Sequence, residues 1–110
     1  MVAGITTVDE KGLGVIKGSG YRFYYDTSFT VDETNFVLDI VTDLGRAARD
    51  GYIVCDGSGD LHFAISHDGL TYGDTIILKS KEVFNLYPLK VNKIKLIHSG
   101  SDSAYRVFVV

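Results

Sequence analysis

Several residue types are scarce in this chain of 110 residues, which has no tryptophan, one cysteine, one proline and one methionine. The single cysteine, Cys55, cannot form an internal disulfide, so the chain does not belong to the disulfide-stapled class of small domains. Cys55 ends the apolar run 52–55, where a free cysteine behaves as a small buried hydrophobe. Pro88 is expected to separate two strands, because proline restricts both its own backbone and that of the preceding residue.

Positive charge is also scarce, with 11 Lys and Arg against 14 Asp and Glu and a sequence pI near 5.4. Binding to nucleic acid requires clustered cations that displace counterions from the phosphates. We therefore predict no nucleic-acid partner. The lysines that do cluster are spaced like the solvated face of a strand, and they are Lys79, Lys81, Lys90, Lys93 and Lys95.

Long apolar runs are missing as well, since no stretch approaches the roughly 18 residues that a membrane-spanning helix needs. The first residues lack the basic and apolar regions of a signal peptide. These absences predict no membrane partner and no secretion through a membrane. The length suits one domain with one hydrophobic core, and 45% hydrophobic with 23% charged residues is ordinary for a globular protein.

Glycine is concentrated at the start of the chain, where five of the first twenty residues are glycine. That density disfavours a long regular element. We predict that residues 1–20 form a flexible or extended arm with at most one short strand, which a partner subunit orders. Residues 21–110 then form the folded domain.

Within residues 21–110, apolar residues alternate with polar ones at the period of a β-strand, and Gly, Asp and Pro mark the turns. Segment 43–50 is interpreted as a loop, because Gly45 cuts short the helical turn that Leu44 and Ala47 suggest. About eight short strands without alternating helices predict an all-β fold, an antiparallel β-sandwich or jelly roll, with a small barrel as the related alternative. Nine runs carry strand signals, of which 82–86 is a weaker one, and they cover residues 21–25, 28–31, 35–42, 52–55, 60–66, 75–79, 82–86, 91–98 and 103–110.

Two pairs of strands are predicted to form hairpins. The first joins 52–55 to 60–66 through a glycine-rich turn, with Leu61, Phe63 and Ile65 on the buried face. The second joins the last two strands through residues 99–102, with Ile94 and Leu96 pointing inward. The final strand is expected to be tied into the sheet.

The segment 56–60 is the most suggestive cluster of oxygen ligands, since Asp56, Ser58 and Asp60 are three groups that a hard cation accepts. The rest of a calcium loop is missing, because His67 occupies the position of the bidentate Glu in an EF-hand. A turn stabilised by local hydrogen bonds is the simpler interpretation.

No other residues form a recognisable catalytic, cofactor-binding or metal-binding set. His62, His67 and His98 lack ligand spacing and are interpreted as surface residues, with His62 facing solvent or a partner. Ser58 is not in a nucleophile elbow, and the N-terminal glycines lack the helix and lysine of a phosphate loop. We therefore assign no catalytic, cofactor or metal residue, expect no cofactor, and predict that the chain is not an enzyme.

Tyrosine is abundant relative to the size of the expected core, with seven in the chain. Exposed tyrosine rings anchor protein interfaces or stack on sugars, whereas half-buried ones simply fill a sheet. Both interpretations remain open for Tyr21, Tyr24, Tyr25, Tyr52, Tyr72, Tyr87 and Tyr105.

From residue 51 onward, the runs 56–61, 65–69, 94–96 and 105–107 are arranged in a way that resembles small structural proteins of tailed bacteriophages. The similarity is to capsid decoration, head-fibre and tail β-sandwich proteins. It implies a non-enzymatic virion structural protein, made in the host cytoplasm and located in the virion. The partners it implies are further copies of the chain, as a homo-oligomer, and a major capsid or tail protein. The alternative is a carbohydrate-binding β-sandwich module whose tyrosines form a platform for a glycan.

Overall fold

The alternation of apolar and polar residues produces eight strands in the computed structural model, which describes residues 20–27, 29, 36–98 and 102–110. The strands form two antiparallel four-stranded sheets, sheet A in the order β1-β8-β3-β6 and sheet B in the order β2-β7-β4-β5. The predicted all-β fold is confirmed, and the arrangement is that of a β-sandwich. The elements are β1 Arg22–Asp26, β2 Phe36–Asp39, α1 Ile40–Leu44, β3 Gly51–Cys55, β4 Leu61–Ser66, β5 Ile76–Leu78, β6 Val83–Asn85, β7 Lys93–His98 and β8 Tyr105–Val109.

The core lies between the inner faces of the two sheets, where every second side chain of each strand is directed. The prediction that Leu61, Phe63, Ile65, Ile94 and Leu96 point inward is confirmed, because all five are buried. Strand β8 lies between β1 and β3, so the end of the described chain is held by hydrogen bonds on both sides, as predicted. Sheet A contributes Ile53, Cys55, Tyr105, Val107 and Val109 to the same core.

Both predicted hairpins are wrong. In the first pair, β3 lies in sheet A and β4 in sheet B. In the second pair, β7 lies in sheet B and β8 in sheet A. The physical reason is visible at the first connection, where backbone N–H groups of Asp56 and Gly59 donate to the carbonyls of Ala104 and Asp102 at 2.8 and 2.7 Å. Segment 56–60 therefore packs on the chain leading into β8 and crosses from one sheet to the other.

The region 36–50 also differs from the prediction, because the strand ends at Asp39 and a single helical turn follows it. The Asp39 carboxylate accepts a hydrogen bond from the Thr42 N–H at 3.2 Å and caps α1. Gly45 ends the turn with a positive φ of 91°, a conformation that glycine adopts without strain. The five-residue helix α1 is much too short to cross a bilayer, and the described part of the chain holds no helix that is long and apolar enough.

Other parts of the prediction fall outside or at the margin of the described residues. The predicted arm lies outside them apart from Gly20, and so does most of the predicted strand 28–31. Phe29 is described and is buried in the core. The run 75–79 is shorter than predicted, and Ile77 on β5 is exposed.

Candidate interaction site on the outer face of sheet A

The outer face of sheet A is built by three neighbouring strands in one register. Phe108 on β8 lies opposite Phe23 on β1 and opposite Tyr52 on β3. Two residues before Phe108 on β8, and on the same face, Arg106 lies opposite Tyr25 and Val54. Val107, which lies between Arg106 and Phe108, is buried in the core. Because successive side chains of a strand alternate between its two faces, Arg106, Phe108 and the residues opposite them point away from the core.

Five rings on this surface form two stacked groups, one of three rings and one of two. Phe108 stacks on Tyr21 and on Tyr52 with ring centroids 5.7 and 5.6 Å apart, and Phe23 stacks on Tyr25 at 5.9 Å. Offset stacking of this kind stabilises aromatic pairs beyond their burial. We call Tyr21, Phe23, Tyr25, Tyr52 and Phe108 the aromatic face.

The aromatic face remains accessible to a partner. Tyr21, Phe23 and Tyr25 keep 53, 46 and 65% of their surface exposed, and Val83 on the neighbouring β6 keeps 54%. A contiguous group of exposed large apolar side chains is uncommon on a monomeric protein and marks interaction sites. Exposed tyrosine suits such a site, because its ring is apolar and its hydroxyl remains hydrated.

The outer face of sheet B has a different composition. Its β7 residues include Lys93 and Lys95, as the strand-like lysine spacing predicted, and the Lys95 ammonium lies 4.6 Å from the centre of the Tyr72 ring. Long charged side chains over a strand keep that surface hydrated. Of the two outer faces, sheet A therefore presents the larger group of stacked rings.

A paired charge lies at the edge of the aromatic face. The Arg106 guanidinium donates from Nε to Asp56 Oδ2 at 2.7 Å and from Nη2 to Asp56 Oδ1 at 3.1 Å. Two parallel hydrogen bonds fix the orientation of both groups. The hydrogen bonds that Asp56 accepts from Arg106, together with the negative charge of Asp56, raise the pKa of Arg106.

Beside this ion pair is an open depression of about 330 Å³. Its lining is mostly apolar but includes three carboxylates and the Arg106 guanidinium, which places charged groups close to exposed rings. A depression of this size is at the small end of those that hold small ligands. The residues that line it include Phe23, Tyr25, Asp26, Asp56, Asp102 and Arg106.

The segment 56–60, whose oxygen ligands were weighed as a cation site and interpreted as a turn, is divided between two ion pairs. Asp56 binds Arg106, whereas the Asp60 carboxylate lies 3.3 Å from the Lys79 ammonium. Ser58 between them is exposed. Within the described ranges there is no group of three or more His, Cys, Asp or Glu side chains placed to hold a metal ion.

The three histidines lie apart and in different surroundings. His62 is on the outer side of β4, opposite Ile77, as predicted. His67 Nδ1 is 2.6 Å from the Lys90 carbonyl oxygen in an exposed turn. His98 differs from the surface position predicted for it, because its ring packs edge-on against buried Phe29 with centroids 5.6 Å apart.

Burial raises the pKa values of two further side chains, Cys55 and Tyr24. Cys55 is buried as predicted, and burial raises the pKa of its thiol, whose sulfur lies 3.1 Å from the Gly59 carbonyl oxygen. The Tyr24 hydroxyl donates to Asp43 at 2.7 Å and so links sheet A to α1. Burial and that bond raise the pKa of Tyr24 well above its ordinary value.

The seven tyrosines differ in their exposure. Tyr21, Tyr25 and Tyr87 are exposed, Tyr105 is buried, and the other three are half-buried. Sequence reasoning missed Phe23 and Phe108 as surface residues. The signal that could have revealed Phe23 is its position between Arg22 and Tyr24, one residue out of phase with the inward-facing Tyr24.

Comparison of the chain with protein-family models, with curated proteins and with solved structures gave no match. The resemblance of residues 51–110 to phage structural proteins therefore stays a prediction.

Proposed function

We propose that this protein is a non-enzymatic structural component of a bacteriophage particle that binds other protein subunits through the aromatic face. The setting in a virion comes from the resemblance of residues 51–110 to decoration, fibre and tail proteins. The mode of binding comes from the outer face of sheet A.

The observation that carries the proposal is the group of five partly exposed rings, a stacked trio and a stacked pair, on the outer side of three adjacent strands. Aromatic residues are enriched at the centres of protein interfaces, and tyrosine is among the residues that contribute most binding energy. Each ring is held by a stacked neighbour, so little side-chain freedom is lost on binding. The Arg106–Asp56 ion pair at the border supplies a polar rim with its hydrogen bonds already made.

The virion setting is tested by mass spectrometry of purified particles of the phage that encodes the chain. We expect the chain to be recovered in many copies per particle. Its absence from the particles would refute the virion setting, whatever the aromatic face binds.

The binding mode is tested with particles assembled without this protein, to which purified protein is added back and pelleted. Tyr25→Ser removes the most exposed ring of the aromatic face, and Tyr87→Ser removes a ring that is 70% exposed but lies outside it. We expect Tyr25→Ser to weaken binding by roughly tenfold to thirtyfold, about 1.4 to 2 kcal/mol. Tyr87→Ser should bind like the wild type, and equal binding by both variants would exclude the aromatic face as the contact surface.

A carbohydrate-binding module is the second candidate, and the depression beside Tyr25 favours it. Sugars stack on exposed aromatic rings while carboxylates accept hydrogen bonds from their hydroxyl groups. Here Tyr25 borders a depression that also holds Asp26, Asp56 and Asp102.

Glycan-array binding separates the two candidates with the same pair of variants. Binding to a defined glycan that Tyr25→Ser abolishes and Tyr87→Ser retains would favour the carbohydrate-binding module. An array without signal, together with retention on particles, would favour the structural protein.

A further inference from the structure

The described part of the chain begins at the aromatic face. Gly20 is the first described residue, and the next residue, Tyr21, stacks on Phe108 with ring centroids 5.7 Å apart. Residues 1–19 lie outside the described part of the chain and are joined to it at this point. These nineteen residues are therefore tethered directly beside a ring of the aromatic face.

The backbone at this entry point is that of a turn. Gly20 has a positive φ of 101°, a conformation that glycine adopts without strain and that is common in tight turns. A Cβ atom at Gly20 would meet nothing within 4 Å, so the space around this residue is open. The two residues before it, Gly18 and Ser19, are also typical of turns. The sequence and the backbone therefore favour a reversal of the chain over residues 18–20.

A chain that reverses about Ser19 brings apolar residues to the aromatic face. Counting equally in both directions from Ser19 sets Val15 beside Phe23 and Leu13 beside Tyr25. Two residues that are two positions apart in an extended segment point to the same side, as Leu13 and Val15 then do. Phe23 and Tyr25 are spaced in the same way on β1 and form a stacked, partly exposed pair. The spacing of the two apolar residues therefore matches the spacing of the two rings.

Charge favours the same placement. The same count sets Lys11 beside Thr27, which lines the depression together with three carboxylates and the Arg106 guanidinium. These described residues give the depression more negative than positive charge, which attracts a lysine. Segment 11–17 thus carries a cation followed by apolar residues, in the order in which it would meet the depression and the rings.

We propose that segment 11–17 lies on the aromatic face of its own chain in the unbound protein, with Leu13 and Val15 against the rings and Lys11 at the depression. The inference rests on the proposed function and deepens it, because a particle subunit then binds the aromatic face only after displacing this segment. A contiguous exposed apolar patch is uncommon on a monomeric protein, and segment 11–17 supplies its cover.

The tether favours the segment of the same chain over that of another copy. A short flexible linker holds a binding segment at an effective concentration in the millimolar range, which is about a thousandfold above a protein solution in the micromolar range. A segment from another copy makes the same contacts without this advantage. At micromolar concentration the contact is therefore made within one chain.

Photo-cross-linking of the full chain tests this contact directly. In one variant p-benzoylphenylalanine replaces Tyr25 on the aromatic face, and in the control it replaces Tyr87, which is 70% exposed but lies outside that face. After irradiation at micromolar concentration, peptide mass spectrometry should find position 25 joined to segment 11–17, and position 87 not joined to it. Mixing isotope-labelled with unlabelled protein distinguishes links within a chain from links between chains. No link from position 25 to this segment, links between chains only, or equal links from position 87 would overturn the inference.

Binding to particles tests the displacement. Leu13→Asp/Val15→Asp removes the apolar contacts of the segment, and the control Thr6→Asp/Thr7→Asp makes the same charge change outside it. We expect Leu13→Asp/Val15→Asp to bind particles at least about threefold more tightly, because a site that is covered for part of the time has a correspondingly lower apparent affinity. The control should bind like the wild type, and circular dichroism of both variants establishes that the fold is retained. Unchanged or weaker binding by Leu13→Asp/Val15→Asp would overturn the inference.

The outcomes separate this inference from the proposed function. If Tyr25→Ser weakens binding to particles but position 25 gives no link to segment 11–17, the proposed function stands and the inference fails. If the link within the chain forms but neither the wild type nor Leu13→Asp/Val15→Asp binds particles, the proposed function fails and the contact of the segment with the aromatic face stands.

Discussion

The crossing of segment 56–60 between the sheets makes Gly57 the most informative position for a substitution. A Cβ atom at Gly57 would overlap the carbonyl oxygen of Asp102 and lie 2.7 Å from the backbone nitrogen of Ala104. Both contacts are with backbone, which cannot turn aside as a flexible side chain does. Gly57→Ala should therefore push segment 56–60 away from the chain that leads into β8.

The expected cost follows from the contacts that such a movement breaks. The N–H groups of Asp56 and Gly57 donate to the Ala104 carbonyl at 2.8 and 3.2 Å, and the Gly59 N–H donates to the Asp102 carbonyl at 2.7 Å. Each such bond contributes about 1 kcal/mol, and overpacking of a buried site costs about 1 to 3 kcal/mol. With partial relaxation we expect Gly57→Ala to lower the free energy of unfolding by about 3 to 5 kcal/mol.

Urea unfolding followed by circular dichroism measures this cost, and Gly73→Ala is the matched control. A Cβ at Gly73 meets only the Ile65 carbonyl oxygen within 4 Å, at 3.7 Å, so the same substitution should be neutral or stabilising by about 0.4 to 1 kcal/mol. A hairpin joining β3 to β4 would place Gly57 in an exposed turn that tolerates alanine. Equal stabilities of the two variants would therefore refute the crossing between the sheets.

Two further predictions concern pH. Burial and the hydrogen bond to Asp43 raise the pKa of Tyr24, so on raising the pH the unfolded chain loses the Tyr24 proton before the folded chain does. The free energy of unfolding should therefore fall above about pH 10. The fall should be less than about 1.4 kcal/mol per pH unit, because Tyr24 is only half-buried. In urea titrations, Tyr24→Phe should remove this fall in stability at alkaline pH and lower the free energy of unfolding at neutral pH by about 1 kcal/mol. If the fall above pH 10 is unchanged in the variant, Tyr24 is not its cause. Hydrogen bonds from the Thr71 and Leu70 N–H groups lower the pKa of Asp68, so its stabilising effect is present above its ordinary pKa near 4 and is lost as pH falls. Asp68→Ala should lower the melting temperature at neutral pH and shrink its fall on acidification; identical acid profiles would exclude this role.

Features that depend on neighbouring residues along the chain were predictable. The inward positions of Leu61, Phe63 and Ile65 follow from the period of two, and the burial of Cys55 follows from the apolar run that it ends. Gly45 was correctly recognised as a terminator, although the residues before it form a helical turn rather than a loop. A single turn is below the length at which helical periodicity can be separated from an apolar strand.

Strand pairing was not predictable in the same way. A glycine-rich turn between two strands is compatible with a hairpin or with a crossing to the opposite sheet, and both predicted hairpins proved to be crossings. The choice depends on whether Asp56 and Gly59 find backbone acceptors in the chain before β8, which lies far away in the sequence. No local pattern records that contact.

Local chemistry in the sequence was sufficient for the class of fold, the positions of most strands and the division of their side chains between core and surface, because those depend on the alternation of neighbouring residues. Tertiary structure alone decided which strands share a sheet. It thereby brought Phe23, Tyr52 and Phe108 from three distant strands side by side on one face of a sheet. A surface that is assembled from distant strands by non-local hydrogen bonds leaves no pattern in the order of residues, whereas a buried face does.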